Sequence, residues 1–261
     1  MCVIVLFFQV HPQLPLVVAA NRDEYYARRS GHAERLDTSP HIVGARDLAR
    51  GGTWMGAADG GLFVGLTNRR TDGRPDPGRR SRGEIVMTAL HSGSVAGVEA
   101  LLARVDARAY NPFNLVFGDA RALRIAYGQE GEQTVHVLPL APGIHVLGND
   151  TLDAPSWKTR RATELATPLV GRPWFELAPA LRGLVADHAL PAPEEVDEPP
   201  AWMDREHARH LQAICVHTPT YGTRSATLAA IGGDGVIHYA FAPGPPCTTA
   251  MHDVTRLLAD G

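Results

Sequence analysis

Apolar and polar positions fall in blocks along this chain. Cys2 to Gln9 (CVIVLFFQ) is almost wholly apolar, HPQLP interrupts it, and Pro15 to Ala20 resumes it. Apolar runs of this length between turn residues predict two strands joined as a hairpin. GTWMGAADGGLFVGLTN predicts a second hairpin, because Asp59-Gly60-Gly61 supplies turn chemistry between two β-prone runs. RRTDGRPDPGRRSRG reads as a polar loop, and Ser81 with Glu84 as a capping box opening a helix over IVMTALHSG.

Val95, Val98, Leu101, Leu102 and Val105 have helical spacing. NLVFGD, LRIAYG, TVHVLPL and GIHVLGN return to short strands. Helices are expected over Trp157–Leu169 and Glu176–His188, then an exposed loop at PAPEEVDEPP. QAICVHT and SATLAAI read as strands, Gly232-Gly233-Asp234-Gly235 as a turn into the strand VIHYAFA, and Thr249 to Leu258 as a last helix. No internal repeat, G-x-G-x-x-G or Walker motif is present. Hairpins and grouped helices predict an α+β fold with helices on sheets, and argue against a βαβ nucleotide-binding fold. The whole chain, 1–261, is expected to be one domain.

Composition narrows this further. With 44% hydrophobic and 20% charged residues the chain is expected to be globular. A net charge of −3 and a pI of about 6.4 give no electrostatic reason to expect nucleic acid or an anionic membrane. Lys158 is the only lysine; the remaining basic charge is arginine. The apolar start is too short for a membrane span, and no other candidate appears, so the cytoplasm is the expected location. Cys2, Cys215 and Cys247 are scattered, with no CxxC pair, no zinc spacing and no haem-attachment signature, and no metal site is predicted.

Cys2 raises a chemical question. As a core residue it would be a small hydrophobe. If Met1 is removed, Cys2 carries both a thiol and a free α-amine, a nucleophile and a base in one residue. Such an amine titrates near neutrality, where a general base works well. In the predicted hairpin the end of the second strand lies beside Cys2, which brings Asn21, Arg22, Asp23 and Glu24 to it. Asp23 could then orient the amine. Asn68 and Asn149 stand at strand ends, as oxyanion donors or plain turn residues. Arg224 opens a late strand and would favour a thiolate if it lay beside the thiol.

MCVIVLF with PLVVAANRDEYY, then GGTWMGAADGGLFVGLTNRR, SRGE, LGNDTLDAPSWK and YGTRSATL, resemble in order the NRDE family, also called the transport and Golgi organization 2 family. That family in turn resembles cysteine N-terminal-nucleophile hydrolases of the choloylglycine hydrolase and penicillin acylase type. The resemblance implies a four-layer αββα sandwich. It assigns catalytic roles to Cys2, Asp23, Asn68, Asn149 and Arg224, with Asn21, Arg22, Trp54 and Phe63 lining the substrate site. Arg22 departs from the hydrolase pattern, which carries an apolar residue there.

Two functions follow. One is an amide or thioester hydrolase or acyl transferase that forms an acyl-Cys2 intermediate and needs no cofactor. The other, taken from the family, is a non-catalytic protein that handles haem, a lipid or acyl-CoA. The 12 histidines and the cysteines offer haem ligands, but no spacing singles one out. Either way the expected partner is a small molecule. Two geometric expectations are specific. The strands carrying Cys2, Asn21 and Asn68 should share a sheet, and Asp23 and Arg224 should both reach Cys2.

Overall fold

The two N-terminal apolar runs pair as antiparallel strands, β1 (Val3–Phe8) and β2 (Leu16–Tyr25), with Val3 opposite Asn21 and Phe8 opposite Leu16. The structure is a computed structural model that describes residues 2–71, 73, 75–196, 198–199 and 203–259. Side chains alternate along a strand, and here both faces are buried. Ile4, Leu6, Phe8, Leu16, Val18 and Ala20 pack against residues such as Val43, Met55, Phe63 and Val116 of a second sheet. Val3, Val5, Phe7, Val17 and Ala19 pack against Ala162, Leu177, Leu181 and Leu184 of two helices. That double burial is why the runs are continuously apolar.

The remaining strands are β3 (Ser30–Thr38), β4 (His41–Asp47), β5 (Thr53–Ala58), β6 (Phe63–Asn68), β7 (Phe113–Gly118), β8 (Leu123–Gly128), β9 (His136–Pro139), β10 (Gly143–Leu147), β11 (Tyr221–Gly232), β12 (Gly235–Ala242) and β13 (His252–Asp253). They form two antiparallel sheets, one ordered β10-β1-β2-β11-β12-β13 and the other β3 to β9 in sequence order. Helices α1 (Arg82–His91) and α2 (Val95–Leu102) cover the second sheet through Ile85, Val86, Leu90, Val98 and Leu102. Helices α3 (Trp157–Ala166) and α4 (Trp174–Val185) cover the first. A short helix, α5 (Arg205–His210), follows. The layers are αββα, as expected.

Several local expectations are corrected. Asn68 does not share a sheet with Cys2 and Asn21: β6 lies in the second sheet, and the site is built across the gap between the two. The asparagine-arginine-aspartate-glutamate stretch belongs to β2, which runs on to Tyr25. Strands β3 and β4 carry a mixed polar pattern that gave no clear signal. QAICVHT is irregular, buried as far as Val216 and exposed at His217, with an isolated bridge from His217 to Gly222. Residues 249–258 form β13 and one 3-10 turn, Thr255–Leu258. Ser81 does precede α1 but makes no side-chain cap: the Glu84 N–H donates to the Ser81 carbonyl, and the Glu84 carboxylate pairs with Arg80. The capping box that does form joins Ser156 and Thr159 at α3.

Candidate active site

Cys2 sits just ahead of β1, half-buried, with its Sγ donating a weak 3.8 Å hydrogen bond to the carbonyl of Asp23. The hairpin register makes this contact, since Val3 pairs with Asn21 and the next residues outward are Cys2 and Arg22. Burial pushes the Cys2 thiol up from its ordinary pKa; the Asp23 charge adds to this and the Arg22 charge opposes it.

Asp23 is buried on the helix-facing side of β2. Thr223 Oγ1 donates to its Oδ1 at 2.7 Å, and the Lys158 ammonium of α3 lies 3.4 Å from its Oδ2. Tyr221 Oη donates to its backbone carbonyl at 2.9 Å. β11 supplies two of these three groups because it pairs with β2 across from Asp23.

The two sheets are tied together at this end by the loop after β10. Thr67 Oγ1 donates to the Gly148 carbonyl at 2.7 Å, and the buried Asn114 side chain donates to the Asp150 carbonyl at 2.8 Å. Asn149 Nδ2 donates to the Asn68 carbonyl at 2.5 Å, leaving Asn149 Oδ1 buried without a hydrogen-bond partner among the described residues. Asn149 therefore clamps the end of β6, while the Asn68 side chain remains at the cavity wall.

Cys2 borders two cavities. The larger, about 260 Å³, lies between the sheets and is also lined by Arg22, Asp23, Trp54, Asn68 and Arg82. The smaller, about 70 Å³, is lined by Asn149, Lys158 and Gln212. Every carboxylate at the larger cavity has a cationic neighbour: Glu24 has Arg22 and Arg28, Asp47 has Arg28, Asp76 has Arg79, and Asp23 has Lys158. Arg82 and Arg50 are different. Arg82 Nη1 donates to the Pro112 carbonyl, and Arg50 donates to the carbonyls of Pro77 and Arg79; neither forms an ion pair among the described residues. Burial, with the Arg28 charge next, pulls the Arg82 pKa down to about 10. The cavity thus has two guanidiniums in excess.

Glycines make that placement feasible. A Cβ on Gly52, which has φ +73°, would lie 2.5 Å from the backbone of Gly83, and one on Gly83 would lie 3.0 Å from the Gly51 carbonyl. Bare backbone lets the start of α1 press onto the β4–β5 turn, which brings Arg82 and Arg50 together at one wall. The SRGE stretch was visible in the sequence, but as part of a pattern; nothing local marked Arg82 as half-buried and without an ion pair among the described residues. Lys158 and Thr223 were missed for a similar reason, since their meaning comes from Asp23.

Three expected residues sit elsewhere. Arg224 occupies a bulge, the extra residue where the β2–β11 register shifts between Thr223 and Ser225. Its Nη1 donates to the Tyr26 carbonyl and its guanidinium covers the Tyr26 ring, so it is not at the cavity wall. Asn21 is wholly buried and donates to the carbonyls of Val185 and Ile214, pinning the helix layer to β2. Phe63 is wholly buried in the core between the sheets. Trp54 and Arg22 do line the cavity.

Solved structures with a similar fold include a Caenorhabditis elegans N-acylethanolamine-hydrolyzing acid amidase ortholog, with TM-score 0.53 and 11% identity over 87% of this chain and 92% of that one. Another is the mutant C2A conjugated bile acid hydrolase from Clostridium perfringens, with TM-score 0.52 and 10% identity over 100% and 95%. Both have the N-terminal-nucleophile-hydrolase fold. In sequence, the chain is 30% identical over 258 residues to the Transport and Golgi organization protein 2 homolog of Bos taurus, covering 92% of this chain and 91% of that protein. The Homo sapiens homolog is 29% identical over 256 residues, with the same coverage. The profile of the family described as "Transport and Golgi organisation 2" matches residues 1–240, and the chain belongs to that family.

Proposed function

We propose that this protein is a Cys2-dependent hydrolase or acyl transferase acting on an amide or thioester whose acyl or leaving portion carries an anionic group. The observation that carries the reading is Cys2 itself. It borders both cavities beside Asp23, and Asn68 lines the larger of them.

The mechanism requires that Met1 be removed. The freed amine of Cys2 takes the thiol proton, and the sulfur attacks the substrate carbonyl. The carbonyl oxygen becomes an oxyanion for which the Asn68 amide is the candidate donor. Collapse expels the amine or thiol, which receives the proton from the Cys2 ammonium, and leaves an acyl-Cys2 thioester. Water, deprotonated by the same amine, then releases the acid. Asp23 would hold the ammonium form and Asn149 would position Asn68. The two unpaired arginines would bind the anionic group. The amidase and bile acid hydrolase among the structural neighbours agree with this reaction class.

The same arginines also suit a haem propionate or an acyl-CoA phosphate, which supports a second reading as a carrier. For haem, however, the described lining of the larger cavity contains no histidine, so Cys2 would be the only soft ligand to iron there.

Intact-mass measurement establishes whether Met1 is removed. The purified protein and Cys2→Ser are then mixed with a panel of N-acyl amides and acyl thioesters, and separately with haemin. The expected result is turnover and an acyl adduct in the wild type, both abolished in Cys2→Ser, which keeps ligand binding. Hydrolysis unchanged in Cys2→Ser ends the nucleophile reading. Saturable haemin binding by both proteins with no adduct establishes the carrier.

A further inference from the structure

Outside the Cys2 site, His188, Cys215, His217 and Cys247 present one ligand atom each within 4.8 Å of one another. We propose that these four side chains form a structural zinc site. The argument begins with distances. Zinc bonds of about 2.3 Å to sulfur and 2.0–2.1 Å to nitrogen imply tetrahedral edges of roughly 3.3–3.8 Å. Cys215 Sγ lies 3.8 Å from Cys247 Sγ and 3.7 Å from His217 Nε2, and Cys247 Sγ lies 3.4 Å from the same Nε2. Three edges of a tetrahedron are therefore already in place.

His188 supplies the fourth corner. Its ring centroid is 5.1 Å from that of His217. Its Nδ1 is 3.1 Å from the Cys215 carbonyl, an acceptor, so Nδ1 carries the proton and Nε2 keeps its lone pair for a metal. A backbone carbonyl that sets the tautomer of a ligating histidine is the usual outer support of such a site. Two neutral imidazoles and two thiolates balance a divalent charge, with two thiol protons released on binding. This donor set and geometry select zinc among common divalent ions. The alternative, a Cys215–Cys247 disulfide, needs sulfurs about 2.05 Å apart; both thiols here are free.

The ligands come from three places with no regular structure: just after α4, the buried segment before β11, and the turn after β12. That explains both why no zinc spacing appears in the sequence and what the metal would do. Residues 211–216 are buried without a strand or helix to hold them. Four protein ligands leave no open position, which makes the site structural rather than catalytic. It is also linked to Asp23: Val216 N–H donates to Thr223 Oγ1, which donates to Asp23 Oδ1.

The test does not depend on activity. The full-length protein is purified under reducing conditions without added chelator, and its metal content is measured by inductively coupled plasma mass spectrometry. One zinc per chain is expected. Cobalt added to the metal-stripped protein should give thiolate-to-metal charge transfer and the d–d bands of a tetrahedral ion, displaced by zinc. Cys247→Ser and His188→Gln should lose zinc and these bands while keeping the far-ultraviolet circular dichroism of the wild type. His188 is exposed and Cys247 half-buried, so neither change removes a core side chain. The proposal is overturned by folded, reduced wild type that neither retains zinc nor binds cobalt, by zinc content unaltered in both variants, or by a mass showing an intramolecular disulfide in protein from reducing cells.

Discussion

The only lysine of the chain, Lys158, places its ammonium 3.4 Å from Oδ2 of Asp23, and both side chains are almost fully buried. α3 and β2 are thus joined by an ion pair at the central aspartate of the site. Thr223 on β11, donating to Oδ1, leaves that carboxylate little freedom to turn.

Removing one member of a buried pair deprives the other charge of that counter-charge. Lys158→Met should destabilise the protein by about 3–5 kcal/mol in urea unfolding. The double change with Asp23→Asn should cost less than the sum of the singles, because it also removes the buried carboxylate charge that Lys158 balanced. Additive losses would show that the pair is not coupled. Burial also protects Lys158 from chemistry. An amine-reactive acetylating reagent should label the N-terminal amine of the native protein and leave Lys158 unmodified until it unfolds, as read by peptide mass spectrometry.

Arg82 should act on binding more than on chemistry. With a carboxylate-bearing substrate from the amide panel, Arg82→Gln should raise KM about tenfold to a hundredfold, the range expected for a lost hydrogen bond to a charged group, with a smaller effect on kcat. The matching neutral methyl ester should show little change. Equal effects on both substrates would show that Arg82 shapes the cavity without reading charge.

Two residues expected in the substrate site should prove to be stability residues. Asn21→Ala leaves the Val185 and Ile214 carbonyls unpaired in the interior, at about 1–3 kcal/mol for each orphaned group. Phe63→Ala opens a cavity between the sheets and should cost about 3–5 kcal/mol. Thermal melts should record both losses. KM measured below the melting range should stay near wild type, and a large rise in KM at unchanged stability would return either residue to the site.

His145 gives a pH dependence. Its Nδ1 faces the Asp153 carboxylate at 2.9 Å and its Nε2 the Ala141 carbonyl at 2.9 Å, two acceptors, so the ring is held as imidazolium. The Asp153 hydrogen bond chiefly raises its pKa, against the opposing effect of burial. A raised folded pKa contributes stability that is complete below the unfolded value, near 6.5, and is lost as pH rises through the folded value. His145→Asn should therefore lower the melting temperature more at pH 6 than at pH 9. A difference that stays constant or grows with pH would contradict the assignment.

The sequence by itself determined most of the strands, the first two hairpins and the pairing that sets Asp23 beside Cys2. These are local or nearly local: apolar runs, a short turn and side-chain alternation leave little choice of pairing. It also carried the family pattern and, through it, the αββα layers. Only the tertiary structure decided which sheet Asn68 joins, because β6 has the same apolar signature whichever neighbour it pairs with. Arg224 illustrates the limit at one residue, since a bulge that shifts register by a single position changes which side chain faces the cavity. Asn21 looked like a site residue because polar groups in an apolar strand mark either a site or a buried anchor, and only the carbonyls of Val185 and Ile214 distinguish them. Lys158, Arg82 and the His188–Cys247 cluster depend on contacts between residues far apart in sequence. Charge pairing and metal-ligand geometry act through space, and spacing along the chain carries no record of them.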